Sequence, residues 1–505
     1  MGKSVERLET SEVAAQIFDG ATIALTGSGI FLEADELFAA LETSFLTTGH
    51  PRDLTIIHAL GIGDGHRSGM SRFAHEGMTR RVIGGHWSWS PEMQRLAKDN
   101  LIEAYSFPAG VISTLMREVG AKRPGVITRV GLRTFADPRL DGGRCNDAAR
   151  DVLVEVVSYE NREFLRYKPI KIDFALIRAT ESDSRGNLTL HREPADLDCH
   201  AVALAAHNCG GRVFAQVESM RERRALHARL VRVPGVIVDA VVVVPDSRKT
   251  YLPGYEPRIS GEAPLGNGEA ESPLDMPTGI RKIIAERALA ELGDARSVNF
   301  GFGIPGGIPA LAAAAGRANY WGTVEQGIHN GEMLDGPMFG SARDPDAIIS
   351  SNDQFDFYSG GGIDVAFLGM GEMDAAGNVN VSKIGGRLVG PGGFVDITQT
   401  ARKVVFCGTF ETKGLEVEVN ADGALAIVGA GDVPKLVQKV EHVTFSGAQA
   451  LEDGQQVIYV TERAVFRLGA DAVELVEVAR GVDLEQDVLA RMAFRPAIRL
   501  KHVAD

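Results

Sequence analysis

Residues 172–190, IDFALIRATESDSRGNLTL, and residues 363–381, IDVAFLGMGEMDAAGNVNV, carry one pattern written twice. Ile172, Asp173, Ala175, Glu181, Asp183, Gly186 and Asn187 recur without a gap as Ile363, Asp364, Ala366, Glu372, Asp374, Gly377 and Asn378. A weaker echo joins ATIALTGSGIF (21–31) to RSVNFGFGIP (296–305), where Gly27, Gly29 and Ile30 meet Gly301, Gly303 and Ile304. Two echoes in the same order imply two related halves, so the chain is constrained to fold as two versions of one plan. The halves are not chemically equal. The second carries a carboxylate, Glu325 in TVEQGIHNG, shortly after its first glycine loop, whereas the roughly corresponding strand of the first, LTIIHALGIG (54–63), has none.

The plan itself reads as α/β. Short apolar runs such as Val82–His86, 236–244, 403–410 and 455–468 have the β-branched content of strands, and 35–45, 276–292 and 308–316 have the period of helices. Continuous apolar strands alternating with helices argue for mostly parallel sheets. The expectation is therefore two related open α/β domains. Residues 256–275, EPRISGEAPLGNGEAESPLD, are rich in Pro, Gly and Glu and lack apolar periodicity. They are expected to link an N-terminal domain (1–255) to a C-terminal domain (276–505) that carries Glu325. The first half is longer between matched markers, 142 residues from Ile30 to Ile172 against 59 from Ile304 to Ile363, so it holds an insertion that includes 104–125.

Bulk properties exclude several classes. A net charge of −14 disfavours nonspecific binding to nucleic acid or anionic membrane. No window reaches 18 uncharged apolar residues, the N-terminal MGKSVERLETSE has no apolar signal region, and four cysteines are too few for a disulfide scaffold. A cytoplasmic protein is expected.

Several residues could carry chemistry. Gly301-Phe-Gly303-Ile-Pro-Gly306 follows a strand-like run and precedes a helix, which resembles a dinucleotide-binding turn with Glu325 about 20 residues on. Taken alone it leaves open a nicotinamide oxidoreductase, or a glycine turn for another thiol- or phosphate-bearing molecule. Glu325 lies among apolar residues and glycine, and the Gly-rich GGRLVGPGGFVDI (385–397) follows in the same half. Closely set glycines let backbone N–H groups face a substrate oxygen; a plain hairpin at Gly390, Gly392 and Gly393 fits the pattern as well. Cys199, His200, His207 and Cys209 do not share one helical face at zinc spacing, so no metal site is expected. His86 in GGHWSWSP reads as structural or pocket-lining.

At this point VEQG, GGGIDVAFLGMGEMDAAGNVNVSKIGG and GPGGFVDI, together with GGHWSWSP and GVITRVGLRTFADPRLDGGRCN in the first half, resemble family I CoA-transferases of the single-chain acetate/propionate type. The resemblance spans about residues 10 to 498. It implies transfer of CoA from an acyl-CoA, acetyl-CoA or another short-chain thioester, to a carboxylic acid. It also implies a glutamate nucleophile at Glu325, which forms a glutamyl-CoA thioester in a ping-pong cycle. By the same carry-over Gly392 supplies an oxyanion N–H and Asn378 orients Glu325, while Gly301, Gly303, Gly390, Gly393 and Lys383 line the CoA or acyl site. Coenzyme A thioester is then a substrate, and no tightly bound cofactor or metal is implied. The expected partners are acyl-CoA and small carboxylic acids, within a homo-oligomer, dimer or tetramer. An acyl-CoA hydrolase on the same scaffold is the alternative. Glutamate's reference pKa of about 4.3 would leave the nucleophile ionised at neutral pH without a base. One departure stands out: relatives often show Pro-Gln-Gly where this chain has Pro108-Ala109-Gly110.

Overall fold

The computed structural model describes residues 4–223, 225–262 and 276–500. The chain packs as two compact units. The first comprises the described residues up to 262 with Glu325–Phe357 and Gly386–Asp396; the second comprises 276–324, Tyr358–Gly385 and 397–500. Packing thus follows a different boundary from the duplication, since two segments that come late in the chain, Glu325 among them, belong to the first unit. Of the linker expected at 256–275, residues 263 onward lie outside the described residues.

The first unit is built on a sheet whose strands run Glu6–Arg7, Ala240–Val243, Arg212–Arg221, Phe174–Asp183, Thr22–Leu25, Leu54–His58, Thr79–Gly84 and Glu103–Ser106, every neighbouring pair parallel. Parallel strands need crossover connections, and the helices Asp35–Thr48, Pro91–Lys98, Ala109–Gly120 and Cys199–Asn208 provide them. The insertion adds the helix Ala109–Gly120 and a small antiparallel sheet of Val126–Thr128, Arg162–Tyr167 and Val154–Tyr159. The main core gathers Ile23, Leu25, Leu37, Phe38, Ile56, Phe73, Val82, Leu96, Phe174 and Phe214, all nearly or fully removed from water.

The second unit has a sheet of Trp321–Val324, Ser297–Phe300, Val365–Gly369, Lys403–Cys407 and Gln456–Val460, parallel throughout, continued antiparallel by Ala464–Leu468 and Val473–Val478. Its core packs helices Gly279–Leu289 and Ile308–Ala314 against Val298, Phe367 and Val405.

The repeated motif has one physical meaning in both units. Asp183 Oδ1 accepts the N–H groups of Arg185 and Asn187, and its Oδ2 accepts Asn187 Nδ2 at 2.9 Å. Asp374 does the same for Ala376, Asn378 and Asn378 Nδ2 at 3.1 Å. Gly186 and Gly377 take φ of +85° and +74°, which a side chain would oppose. At the start of each motif Asp173 accepts from Thr22 N at 3.0 Å and Asp364 from Ser297 N at 3.1 Å, pinning adjacent parallel strands. The motif is duplicated because it builds the same strand and turn twice.

Candidate active site

In the first unit the loops after strands Thr22–Leu25, Leu54–His58 and Thr79–Gly84 converge, at the carboxyl ends of parallel strands where α/β sheets open their crevices. Gly29 N–H donates to Gly61 O at 2.7 Å, and Gly63 N–H returns to Gly29 O at 2.8 Å. The GPGG loop lies against this cluster. Gly392 N–H donates to Gly85 O at 2.8 Å, Trp87 N–H donates to Val389 O at 2.7 Å, and Ala109 N–H donates to Gly392 O at 2.9 Å.

Glu325 meets this loop. Its Oε2 accepts the N–H of Gly393 at 2.6 Å. A Cβ at Gly393 would collide with Glu325 Oε2 and come within 3.0 Å of Phe355 Cε1, so only glycine lets the backbone approach the carboxylate. The neighbouring Gln326 is 2% exposed, and its Nε2 reaches Ser28 Oγ at 3.2 Å and Glu325 Oε1 at 3.5 Å. A Cβ at Gly340 would fall 2.8 Å or less from three atoms of the Gln326 amide and Cγ, so that glycine too makes room for a polar side chain.

Electrostatics follow from this enclosure. Burial pushes the Glu325 carboxyl up to about 7, against the opposing pull of the Gly393 N–H and Gln326. This corrects the expectation of a freely ionised glutamate: at neutral pH the protonated and charged forms coexist. The Asp396 carboxyl is raised to about 8 by burial and by the nearby Glu325 charge, opposed by the N–H of Gly110. His58 and His86 are both lowered to about 4 by burial, so these imidazoles are neutral at physiological pH.

The residues expected to act from sequence are distributed as follows. Gly392 lies at the loop, its would-be Cβ 3.6 Å from Glu325 Oε1, but its N–H is committed to Gly85 O. The backbone N–H that meets Glu325 is that of Gly393, the next residue. Gly390, at φ +79°, packs against Gly85 O and His86. Asn378 belongs to the repeated turn: Nδ2 donates to Asp374 Oδ2 and Oδ1 accepts Gly447 N–H at 3.0 Å. Its counterpart Asn187 makes the same pair of bonds with Asp183 and Gly235 N–H, in the half that lacks a counterpart of Glu325, so both asparagines close the turn. Gly301 follows strand Ser297–Phe300, donates to Phe367 O at 2.8 Å and leaves no room for a Cβ beside Leu368 Cδ2, while Gly303 at φ +85° has open space. Lys383 opens the short strand Lys383–Ile384, its N–H held by Asn380 Oδ1 at 3.2 Å. Gln326, Phe355 and Asp396 were not singled out from sequence; the one signal available was an acidic residue inside the apolar run FVDI. Cys199 is buried at the start of helix Cys199–Asn208, and among the described residues no three His, Cys, Asp or Glu side chains are placed to hold a metal ion. Among the same residues no helix is long and apolar enough to cross a membrane.

The site thus centres on a half-buried carboxylate held by a backbone N–H under a glycine loop, on a duplicated parallel α/β plan, and comparison with known proteins gives the class. The chain belongs to the coenzyme A transferase family, whose model matches residues 8–244, and it is a transferase enzyme. It is 42% identical to the acetate CoA-transferase YdiF of Escherichia coli K12, over 97% of this chain and 92% of that one. It is 41% identical to the caffeate CoA-transferase of Acetobacterium woodii, over 97% and 94%. The crystal structure of the acyl-CoA transferase YdiF from Escherichia coli O157:H7, a thioester complex with CoA, superposes with a TM-score of 0.92 at 41% identity, covering 98% of this chain and 94% of that one. Family membership leaves the glycine turn at 301–306 without a nicotinamide role.

Proposed function

We propose that this enzyme moves CoA from an acyl-CoA, acetyl-CoA or another short-chain thioester, to a free carboxylic acid through a glutamyl-CoA thioester on Glu325. The observation that carries the proposal is Glu325 itself: a half-buried carboxylate whose Oε2 sits 2.6 Å from the Gly393 N–H. The ionised carboxylate attacks the thioester carbonyl; the new C–O bond forms as the C–S bond breaks, releasing CoA thiolate and leaving a mixed anhydride. The thiolate then attacks the glutamyl carbonyl carbon, the bond from that carbon to the bridging oxygen breaks, and the product acid leaves as its carboxylate, carrying that oxygen. The acceptor acid runs the same steps backward. A carboxylate suits both directions because it leaves as readily as it attacks, so the thioester's energy is conserved. In the second step negative charge develops on the glutamyl oxygen, the atom that Gly393 N–H already holds, so that donor is positioned for the oxyanion before the charge appears. The enclosure that raises the carboxyl to about 7 also limits water, which would hydrolyse the anhydride.

The YdiF structure described as a thioester complex with CoA supports this route, and the acetate and caffeate enzymes set the range of acceptors to try. Ala109, where relatives often carry glutamine, removes an amide that could hold an acceptor carboxylate and points to an acceptor other than the simplest acids. The test is to incubate the enzyme with acetyl-CoA, reduce with borohydride and map the product by mass spectrometry. Reduction of a thioester to an alcohol at residue 325, with loss of activity, is the expected result; an unmodified Glu325 beside an active enzyme defeats the proposal. A parallel screen of carboxylic acids as CoA acceptors identifies the second substrate.

A further inference from the structure

The helix Ala109–Gly120 begins without a cap of its own, because Pro108 at its N-cap has no side chain that could accept a hydrogen bond. Its first N–H groups are satisfied from far along the chain. Ala109 N–H goes to the carbonyl of Gly392 at 2.9 Å, Gly110 N–H to Asp396 Oδ2 at 3.1 Å, and the backbone of Val111 also bonds the Asp396 carboxyl. The two acceptors flank Gly393, which holds Glu325: Gly392 precedes it in the loop, and Asp396 lies in the first turn of the helix Phe394–Thr400 that follows. The fit is close on each side. A Cβ at Gly110 would lie 2.5 Å from Asp396 Oδ1 and 2.5 Å from Phe355 Cδ1, and the same Phe355 ring stands 3.0 Å from the would-be Cβ of Gly393. Asp396 and Phe355 are 2% and 1% exposed, so neither can be replaced by water without opening the packing.

We infer that Asp396 is a positioning residue for the transfer reaction: by capping helix Ala109–Gly120 it fastens the GPGG loop and so aims the Gly393 N–H at Glu325. A carboxyl with this placement does not touch the reacting atoms. It holds one end of a short rigid path in which Gly110 bonds Asp396, Asp396 follows Gly393 by three residues, and Gly393 bonds Glu325. Releasing the helix end frees the loop to drift, and a drift of about 1 Å at a reacting group can cost on the order of 10²-fold in rate. The inference rests on the proposed role of Glu325 as nucleophile.

The experiment measures the rate at which the glutamyl-CoA thioester appears, by borohydride quench at timed intervals after mixing enzyme with saturating acetyl-CoA, together with steady-state kcat and KM. Asp396→Ala should slow thioester formation and kcat by roughly 10- to 100-fold, with KM for acetyl-CoA within about threefold of the original. Asp396→Asn keeps an oxygen that can accept from Gly110 N–H and should recover to within about threefold of wild type. That split and that rescue would not arise from a general loss of stability, which lowers the active fraction of each variant without ordering them by acceptor. Gly110→Ala decides the matter if Asp396→Ala does not fold: its methyl group pushes the helix end off Asp396, and thioester formation should again slow at least tenfold. Wild-type rates in Asp396→Ala or Gly110→Ala overturn the inference, as does equal slowing in the alanine and asparagine variants. Each of these leaves the nucleophile standing so long as wild-type enzyme is trapped at Glu325; a wild-type enzyme that is not trapped there removes both readings together.

Discussion

Replacing Glu325 by glutamine should make the protein more stable at alkaline pH while destroying its function. The carboxyl is raised from 4.5 to about 7, which means that the folded enclosure disfavours its charged form. The sign follows from linkage. Below the unfolded value both states hold the proton and there is no cost. As pH rises from there toward 7 the unfolded chain loses its proton first, so folding becomes progressively less favourable. Above about 7 both states are charged and the penalty is constant. At about 1.36 kcal/mol per pKa unit the penalty has an upper bound near 3 kcal/mol, reduced in practice because part of the carboxylate still meets water. A neutral amide of the same shape keeps an oxygen for Gly393 N–H and avoids the cost. Glu325→Gln should therefore melt about 2–5 °C above wild type at pH 8, taking roughly 2 °C per kcal/mol for a unit of this size. The gain should shrink as pH falls from 7 and vanish below about 4.5, the unfolded value. Scanning fluorimetry of both proteins across pH, done promptly to avoid deamidation, measures this. A glutamine variant less stable than wild type at pH 8 would show that Gly393 and Gln326 stabilise the charge more than burial opposes it, and the reasoning would fail.

Glu325→Ala should lose at least about 10³-fold in transfer while still folding, since the nucleophile is gone and only positioning remains; circular dichroism and turnover check this. The rate of thioester formation should rise with pH through about 7 as Glu325 becomes ionised, and a rate flat between pH 5 and 9 would contradict the raised carboxyl. Gly393→Ala, whose methyl would occupy the space of Glu325 Oε2, should reduce turnover by about 10²-fold or more. Gly392→Ala strains a backbone at φ +53° but leaves the Gly393 N–H in place, so it should be the milder of the two. Initial rates with two substrates should give parallel double-reciprocal lines, because the donor acid leaves before the acceptor enters; intersecting lines would require a ternary complex.

The parts of this molecule legible in the sequence are those set by local pattern. The Asp-x-x-Gly-Asn turn appeared twice as letters and twice as the same hydrogen bonds, and helix 35–45 is found at Asp35–Thr48, closed by Gly49 at φ +80°. Where a segment answers to distant partners, local reading failed. Residues 455–468 read as one strand, yet the chain reverses between Gln456–Val460 and Ala464–Leu468 with no glycine or proline to signal it. The turn is held by Thr461 Oγ1 and by Arg463, 1% exposed, which bonds Glu462 at 2.7 Å and reaches Glu411 at 3.4 Å. Likewise 236–244 looked like strand throughout, but Gly235–Ile237 is a helical turn and the strand starts at Ala240. The site shows the same division. Glu325 and the glycine loop were visible as a carboxylate among apolar residues and a cluster of glycines. Which glycine donates was not, because Gly392 is withdrawn by Gly85, a partner that no spacing rule connects to it.

The duplication also shows how the first copy differs from the second around the position of Glu325. Strand pairing gives the correspondence: Leu25 faces His58 and Asn299 faces Thr323, and Leu25 and Asn299 stand two residues before the matched glycines Gly27 and Gly301. Two residues further on lie Leu60 and Glu325. Leu60 is buried, and its carbonyl accepts His58 Nδ1–H at 2.8 Å, so the first copy has turned this position into apolar packing. The loop that would serve a nucleophile there has changed as well. Helix Phe394–Thr400 is preceded by Gly392 at φ +53° and then Gly393; helix Cys199–Asn208 is preceded by Leu197 at φ +48° and then Asp198. The left-handed kink is kept in both copies, even at the expense of forcing a leucine into it. The residue after the kink is not kept. Glycine leaves the N–H approachable by a carboxylate, whereas Asp198 puts a buried carboxyl of its own there, raised to about 7 by burial. The two copies thus keep one backbone kink, and the residue after it differs: glycine at 393, its N–H against Glu325, and a buried aspartate at 198.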